Sequence, residues 1–208
     1  MTTSTARSLR DGTRGDHAAT EHAPFMEALL GGILPREAYA DLLAQLHAVY
    51  SALEAAAETF ATDPVAGPFV DGALHRVASL DADLDHLAGP AWRERFAMTE
   101  ATGEYVERIR ANDDPATFVA HHYTRYLGDL SGGQVIGRLV RRAYTLADEG
   151  TSFFVFDAIP DAKAYKDTYR ARLDAAPIDA DALRAEVSVA YGLNAAVFAA
   201  LAERHLTP

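Results

Sequence analysis

The chain has 208 residues, 49% of them hydrophobic and 24% charged, enough for one well-buried core in a single domain spanning 1–208. Its formal net charge of -11 repels nucleic acid and anionic membrane, which removes both from the expected partners. With no cysteine the chain has no disulfide, thiolate nucleophile, iron–sulfur cluster or Cys-x-x-Cys-His tether, so any metal must be held by His, Asp or Glu.

The first ten residues are polar, without the apolar stretch of a secretory signal, and no run reads as long enough to cross a bilayer. A cytoplasmic, monomeric protein is expected. Apolar residues recurring every three or four positions, with prolines at segment edges, predict an all-α chain. Helices are expected over 5–22 and 25–32. Pro35 opens a longer one carrying Tyr39, Leu42, Leu43, Leu46, Tyr50, Leu53, Ala57 and Phe60, which closes before Asp63-Pro64. Segments 74–87 and 99–111 follow. Asp113, Asp114 and Pro115 read as the cap and first turn of a helix carrying Phe118, Val119, His122, Tyr126 and Leu130. A helix over 161–174 precedes the last, from about Asp179 to His205, with Leu183, Val187, Tyr191, Asn194 and Phe198 on its inner face.

Leu130-Ser131-Gly132-Gly133-Gln134 is the signature pentapeptide of ABC-type ATPases. That signature works only against a nucleotide held by a Gly-Lys-Ser/Thr loop after a strand. No glycine here is followed by lysine, the only lysines are Lys163 and Lys166, and no strand pattern exists to carry such a loop. The match is therefore read as chance.

What needs explaining is that Gly128, Gly132, Gly133 and Gly137 lie within helical flanks, at roughly 1 kcal/mol lost per glycine relative to alanine. A kink or close helix packing is the ordinary reading. Arg125, Gly128, Asp129 and Gly132 share one face, however, so an acid and a base flank two bare patches of backbone. Such a face would let a helix approach a flat, rigid group, and local unwinding would free peptide groups to bond it.

The first helix carries a second constellation, with Arg10, His17 and Glu21 on one face. A metal-bound His17 would have Glu21 one turn on to accept its other ring proton and fix the tautomer. Arg10 lies about 10 Å back along the axis at 1.5 Å per residue, about the offset from a haem iron to its propionates. Gly12 and Gly15 weaken this helix, and His22, His47, His121 and His122 compete as ligands.

His17-x-x-x-Glu21-His22 followed by Phe25-Met26, the block Ala120-His121-His122-Tyr123-Thr124-Arg125-Tyr126-Leu127-Gly128-Asp129-Leu130-Ser131-Gly132-Gly133-Gln134, and Tyr165-Lys166-Asp167-Thr168-Tyr169-Arg170 together resemble the haem oxygenase family, soluble bacterial type, nearly end to end. The resemblance implies an all-α, multi-helix fold with haem sandwiched between a proximal and a kinked distal helix. It implies His17 as iron ligand, Glu21 as its hydrogen-bond partner and Gly128 to Gly132, Ser131 included, as the distal helix over the haem. Asp129 would organise the distal waters, with Arg125, Tyr50, Tyr126 and Asn194 in the surrounding polar network. Arg10, Tyr123, Lys166 and Arg170 would hold the propionates, while Met26 and Phe198 would pack on the macrocycle. The family more often has lysine where this chain has Arg10; an arginine grips a carboxylate bidentately, which bears on the in-plane orientation of the haem.

The implied reaction uses haem b as both substrate and cofactor and opens it at a meso carbon, alpha by the resemblance, to biliverdin, carbon monoxide and ferrous iron. Oxygen is the co-substrate, and water ordered by Asp129 is the proton source. Electrons come from an NAD(P)H-dependent reductase or a ferredoxin, since the chain contains no Gly-x-Gly-x-x-Gly. Arg138, Arg141 and Arg142, and Arg108 with Arg110, are the candidate landing surface, against the simpler reading of solvated arginines. A non-catalytic haem carrier is the alternative, and Asp129 in an apolar distal helix speaks against it. A di-iron oxidase would need Glu-x-x-His pairs, of which there are none. A helical interaction module would bind no haem at all.

Overall fold

The structure, a computed structural model, describes residues 4–207, with the side chain of Glu21 outside the description. The described residues form helices, short 3₁₀ turns and no strand. The helices are α1 (Thr5–Gly12), α2 (Arg14–Glu21), α3 (Pro24–Leu30), α4 (Arg36–Phe60), α5 (Val77–Ala88), α6 (Trp92–Arg95), α7 (Glu100–Arg110), α8 (Pro115–His122), α9 (Gln134–Tyr144), α10 (Ala162–Ala175) and α11 (Ala180–Leu206).

The polar residues that flank these segments start them. Asp114 accepts from the Thr117 amide with Pro115 at the first helical position, Asp161 from Ala164, Thr99 from Thr102, and Asp179 from Asp181 and Ala182. Ser4 caps α1 and also donates to Asp174 near the end of α10, whose carboxylate accepts the Ala6 amide at 2.9 Å. The expected 5–22 helix is two helices. Thr13 leaves the helical region (φ -108°, ψ 13°), and its hydroxyl bonds back to the Leu9 carbonyl at 2.8 Å, so a side chain between Gly12 and Gly15 competes with the backbone ladder. The remaining expected helices hold to within about three residues at their ends. The α6 turn, too short to show a period, went unforeseen.

Helix α4 and helix α11 form the scaffold. Helix α4 buries fifteen residues from Ala38 to Phe60 and packs on α5 and α7. Helix α11 lies against α1, α2, α3, α7 and α8, burying Leu183, Val187, Ala190, Val197, Phe198 and Leu201. Its 27 residues, with mean hydropathy 1.5 in the most apolar window, correct the expectation that no run is long enough to cross a bilayer. What keeps so apolar a helix in the fold is its packing against these helices, and its end is pinned where Arg204 and His205 meet buried Asp41, each at 2.8 Å.

Between α8 and α9 the chain stays right-handed and helical, and no residue there has positive φ. Two consecutive wide turns, Tyr123–Leu127 and Asp129–Gly133, replace i→i−4 with i→i−5 bonding, so one element runs from Pro115 to Tyr144 with a π-type middle. This is the physical form of the expected kink. Widening leaves carbonyls underused, and Lys166 of α10 donates to the Leu130 carbonyl at 3.2 Å and the Ser131 hydroxyl at 3.0 Å.

Candidate functional site: a cleft between α2 and the widened helix

The four glycines of the widened helix divide into two pairs. A methyl group built on Gly137 would sit 2.9 Å from Phe154 Cβ, so this glycine is required for close packing. A methyl on Gly128 or Gly132 would meet nothing within 4 Å. Close packing against protein therefore does not account for that pair. Gly128 lines a cleft of about 250 Å³ with Arg10, Thr13, Arg14, His17, Tyr123, Leu127, Ser131, Arg170 and Tyr191. Helices α1 and α2 form one wall, the widened helix the other, and α10 and α11 supply Arg170 and Tyr191.

Of the competing histidines only His17 lines this cleft. It is exposed on α2, its ring edge-on to Tyr191 at 5.9 Å. His121 and His122 are buried and bonded to Glu186 and Tyr169, His47 faces Asp81, and His22 pairs with Glu27 at 3.3 Å. The expected Glu21 side chain lies outside the described residues. Among the described residues no three His, Asp or Glu converge as ligands, so His17 suits a metal that arrives with its other ligands. Cations rim the cleft: Arg10 pairs with Asp11 at 3.5 Å and Arg170 with Asp167 at 3.0 Å. Both are more than a third exposed and free to turn toward an anion. Burial pushes the Tyr123 phenol up, with Arg170 and Arg10 pulling the other way.

Behind Gly128, the acid and its partners form a closed hydrogen-bond set. Tyr50 of α4 donates its hydroxyl to Asp129, and that same oxygen accepts from Arg125 Nε at 3.1 Å and Nη2 at 3.0 Å. Arg125 Nη1 donates to Asn194 Oδ1 of α11 at 2.7 Å, and its guanidinium stands 3.7 Å from Asp129. Because Arg125 supplies both N–H groups to Tyr50, the Tyr50 proton has only Asp129 to go to. Burial raises the Asp129 carboxyl above its usual range, against the opposing pull of Arg125, the Tyr50 bond and Arg76. Burial likewise raises Tyr50 and Tyr126 well above the usual phenol range.

Not every expected residue reaches the cleft. Met26 and Phe198 are buried in the core, 6% and 8% exposed, and neither is among the lining residues. Gly132 is bare but outside the lining set, and Lys166 is engaged by the widened helix. Sequence reasoning missed Arg14, which follows Arg10 by four and precedes His17 by three, a spacing that carries the signal. It also missed buried Arg76, whose guanidinium donates to the Leu74 carbonyl at 2.9 Å and stacks 3.9 Å over Phe156. Nothing local in the sequence marks that one.

A histidine and a bare stretch of helical backbone thus line one cleft rimmed by cations in an all-α protein. The family profile described as "Heme oxygenase" matches residues 3–200. The heme oxygenase of Porphyra purpurea is 40% identical over 204 residues, covering 95% of this chain and 86% of that one. Heme oxygenase 1 of Synechocystis is 37% identical over 203 residues, covering 95% and 85%. The crystal structure of the Synechocystis protein in complex with heme superposes with a TM-score of 0.91 at 36% identity, covering 97% of this chain and 94% of that one. The heme oxygenase structure from Leptospira interrogans gives 0.89 at 34%, covering 94% and 98%. The chain belongs to the haem oxygenase family.

Proposed function

We propose that this protein binds haem b in the α2 cleft and cleaves it at a meso carbon, alpha by resemblance, to biliverdin, carbon monoxide and ferrous iron. Molecular oxygen and electrons from a separate NAD(P)H-dependent reductase or ferredoxin are consumed. The observation that carries the reading is the pairing of His17 with a methyl-free Gly128 across one slot. When bound, the haem supplies both the iron that activates oxygen and the ring that is opened.

The chain's residues do the rest. His17 would hold the iron. Arg10, Tyr123, Lys166 and Arg170 would hold the propionates, with Ser131 beside them, Lys166 being bonded to the Leu130 carbonyl in this structure. Bare backbone at Gly128 and Gly132 would let the ring approach the helix closely and would restrict the directions open to oxygen. Asp129, Arg125 and Tyr50 act as the catalytic group, with Asn194 holding Arg125. Asp129, aimed by Tyr50, orients a water and passes protons at its carboxylate. A carboxyl raised by burial releases and regains a proton closer to neutral pH than an ordinary aspartate does. Met26 and Phe198 support the pocket from the core.

On α9, Arg138 and Arg142 are exposed beside Val135 and Leu139, 48% and 38% exposed, a basic face with an apolar centre that suits an acidic electron donor. Arg141 is tied to Asp148, and Arg108 to Glu186, so neither is part of it. The protein works as a monomer in the cytoplasm, where reduced nicotinamides are regenerated. Hemin added to the purified protein should produce a stoichiometric Soret band, and reductase, NADPH and air should then convert it to biliverdin. A stable Soret band without bilin would mark a carrier instead; no band would end the haem reading.

A further inference from the structure

On the α10 side of the cleft, three tyrosines lead from the cleft toward the surface, and the reaction as proposed uses only the first. Tyr123 lines the cleft, and its ring stands 6.4 Å from that of Tyr169. Tyr169, 1% exposed on α10, is stacked on the His122 ring at 5.7 Å and 11°. Tyr165 lies one turn earlier on the same helix, so it neighbours Tyr169, and it is half-buried at the surface.

Each of the outer two carries its own proton acceptor. Tyr169 Oη is 2.9 Å from His122 Nδ1 and has no other hydrogen-bond partner among the described residues. A buried hydroxyl with one partner donates to it, which makes Nδ1 the acceptor and puts the His122 proton on Nε2. Burial keeps that imidazole neutral, its pKa lowered to about 3. Tyr165 donates to Asp71 Oδ2 at 2.8 Å, while Oδ1 of the same carboxylate caps the 3₁₀ turn Gly72–Leu74 through the Ala73 amide. Burial raises both phenols above their usual range, and the bond to Asp71 adds to the rise at Tyr165. Near neutral pH neither ionises by itself. Each can give up an electron only as its proton leaves, and the group that takes the proton is already in place.

We propose that Tyr123, Tyr169 and Tyr165 form a relay carrying oxidising equivalents from the haem cleft to the surface, which gives the haem-loaded protein a second activity: peroxide-dependent one-electron oxidation of phenolic donors at Tyr165. Hydrogen peroxide takes up two electrons and two protons to become two waters. Each electron drawn from Tyr123 is replaced from Tyr169, then from Tyr165, and last from a phenol outside the protein. Tyr169 passes its proton to His122 Nδ1 as it is oxidised and recovers it as it is reduced; Tyr165 does the same with Asp71, and Tyr123 exchanges its proton with solvent in the cleft. The net reaction converts one peroxide and two phenols into two waters and two phenoxyl radicals. Electron tunnelling decays exponentially with distance, so short steps between neighbouring oxidisable rings outpace one long transfer. The relay drains from the cleft an oxidant that would otherwise attack the residues around it.

This inference rests on the haem-binding part of the proposed function and not on ring cleavage. The ferric haem-loaded full chain, mixed with hydrogen peroxide and a nitroso spin trap, should carry the trapped adduct on Tyr165, located by peptide mass. Tyr169→Phe keeps the ring and its stacking but not the proton, and it should lose the Tyr165 adduct although Tyr165 is still present. Tyr165→Phe should lose peroxide-dependent oxidation of a dextran-linked phenol, which is too large to enter the cleft, followed as dityrosine fluorescence. Being at the surface, it keeps the test open if Tyr169→Phe does not fold. Both variants should keep the parent's Soret band and bilin turnover. No adduct on Tyr165 in the parent, a Tyr165 adduct retained in Tyr169→Phe, or undiminished oxidation of the dextran-linked phenol by Tyr165→Phe overturns the relay. A parent without a Soret band overturns both readings. A parent with the Soret band and the Tyr165 adduct but no bilin supports the relay and defeats only the cleavage reading.

Discussion

On the α2 wall of the cleft, His17 is exposed, the helix is eight residues long, and a break at Thr13 separates it from α1, which is pinned at the far end by Asp174. On the facing wall, Tyr50, Arg125, Asp129 and Asn194 are bonded to one another between two scaffold helices. On the proposed reading, the first wall gains its strongest interaction only when haem binds. The second is complete beforehand, as a site must be if its dipoles are to act without reorganising during the reaction. The comparison predicts that changes to the α2 wall cost binding and chemistry with little effect on the fold, while changes to the facing wall divide between chemistry and stability according to which side of the helix they touch.

The largest effect expected is that of His17→Ala. Turnover should fall below detection, since on the proposed reading this removes the iron ligand itself. Because the side chain is exposed, the unfolding free energy should stay within about 0.5 kcal/mol of the parent. Hemin titration should lose the imidazole-ligated spectrum, and added imidazole should restore part of it. A parent-like spectrum would break the comparison at its first wall and move the ligand to His22.

Asp129→Ala comes next. Haem should still bind through His17 and the cations, while bilin formation drops on the order of 10²-fold, the typical contribution of a positioned acid–base group. Asp129→Asn keeps the shape and the bond from Tyr50. It should lose less if positioning dominates and equally if charge does. Normal bilin yield from the alanine variant would reduce Asp129 to a structural residue.

The glycines sharpen the contrast with effects of opposite sign. Gly128→Ala adds a methyl to open space in a helix, so the haem-free protein should gain up to about 1 kcal/mol. The same methyl intrudes on the flat ligand and should weaken haem binding about tenfold, roughly 1.4 kcal/mol. Gly137→Ala, which drives a methyl into Phe154, should destabilise by about 1–3 kcal/mol. A Gly128→Ala protein that binds haem as the parent does would show that the bare backbone is not the ligand's wall.

These pairs also show how far the sequence could be read. The helices are legible because period and caps are local, and the Gly128 to Gly132 face is legible because i and i+4 positions share a side. Arg10 and His17 are legible from a shared helix face and Arg170 from the resemblance, and the cleft gathers all three. Which glycine faces the protein and which faces space is not legible, because it depends on Phe154, seventeen residues past Gly137. The His121 to Glu186 contact spans 65 residues and leaves no periodic trace. Met26 and Phe198 illustrate the opposite limit: an apolar residue on an inner face serves core and ligand with the same pattern, and the core is where these two lie.

The smallest effect is one of pH and belongs to the preorganised wall. His122, buried on α8, donates to or accepts from Tyr169 at 2.9 Å and is stacked on its ring; burial lowers its pKa from 6.5 to about 3. The unfolded chain binds a proton there as pH falls below about 6.5, and the folded chain does not until about 3. Across that window the unfolded state holds more protons, so stability falls as the solution is acidified, by at most ~1.4 kcal/mol per pH unit from this one group. Glu186 adds a loss of the same sign at lower pH, because its depressed carboxyl stabilises the fold above about 4.5 and ceases to do so as pH drops toward about 2. His122→Gln keeps a hydrogen-bonding side chain near Tyr169 but cannot titrate. Denaturant unfolding between pH 6.5 and 4.5 should therefore show a shallower acid slope in the variant than in the parent, even if the variant is less stable at pH 7. Parallel slopes would mean that His122 is protonated in the folded chain, and that the facing wall reorganises with pH after all.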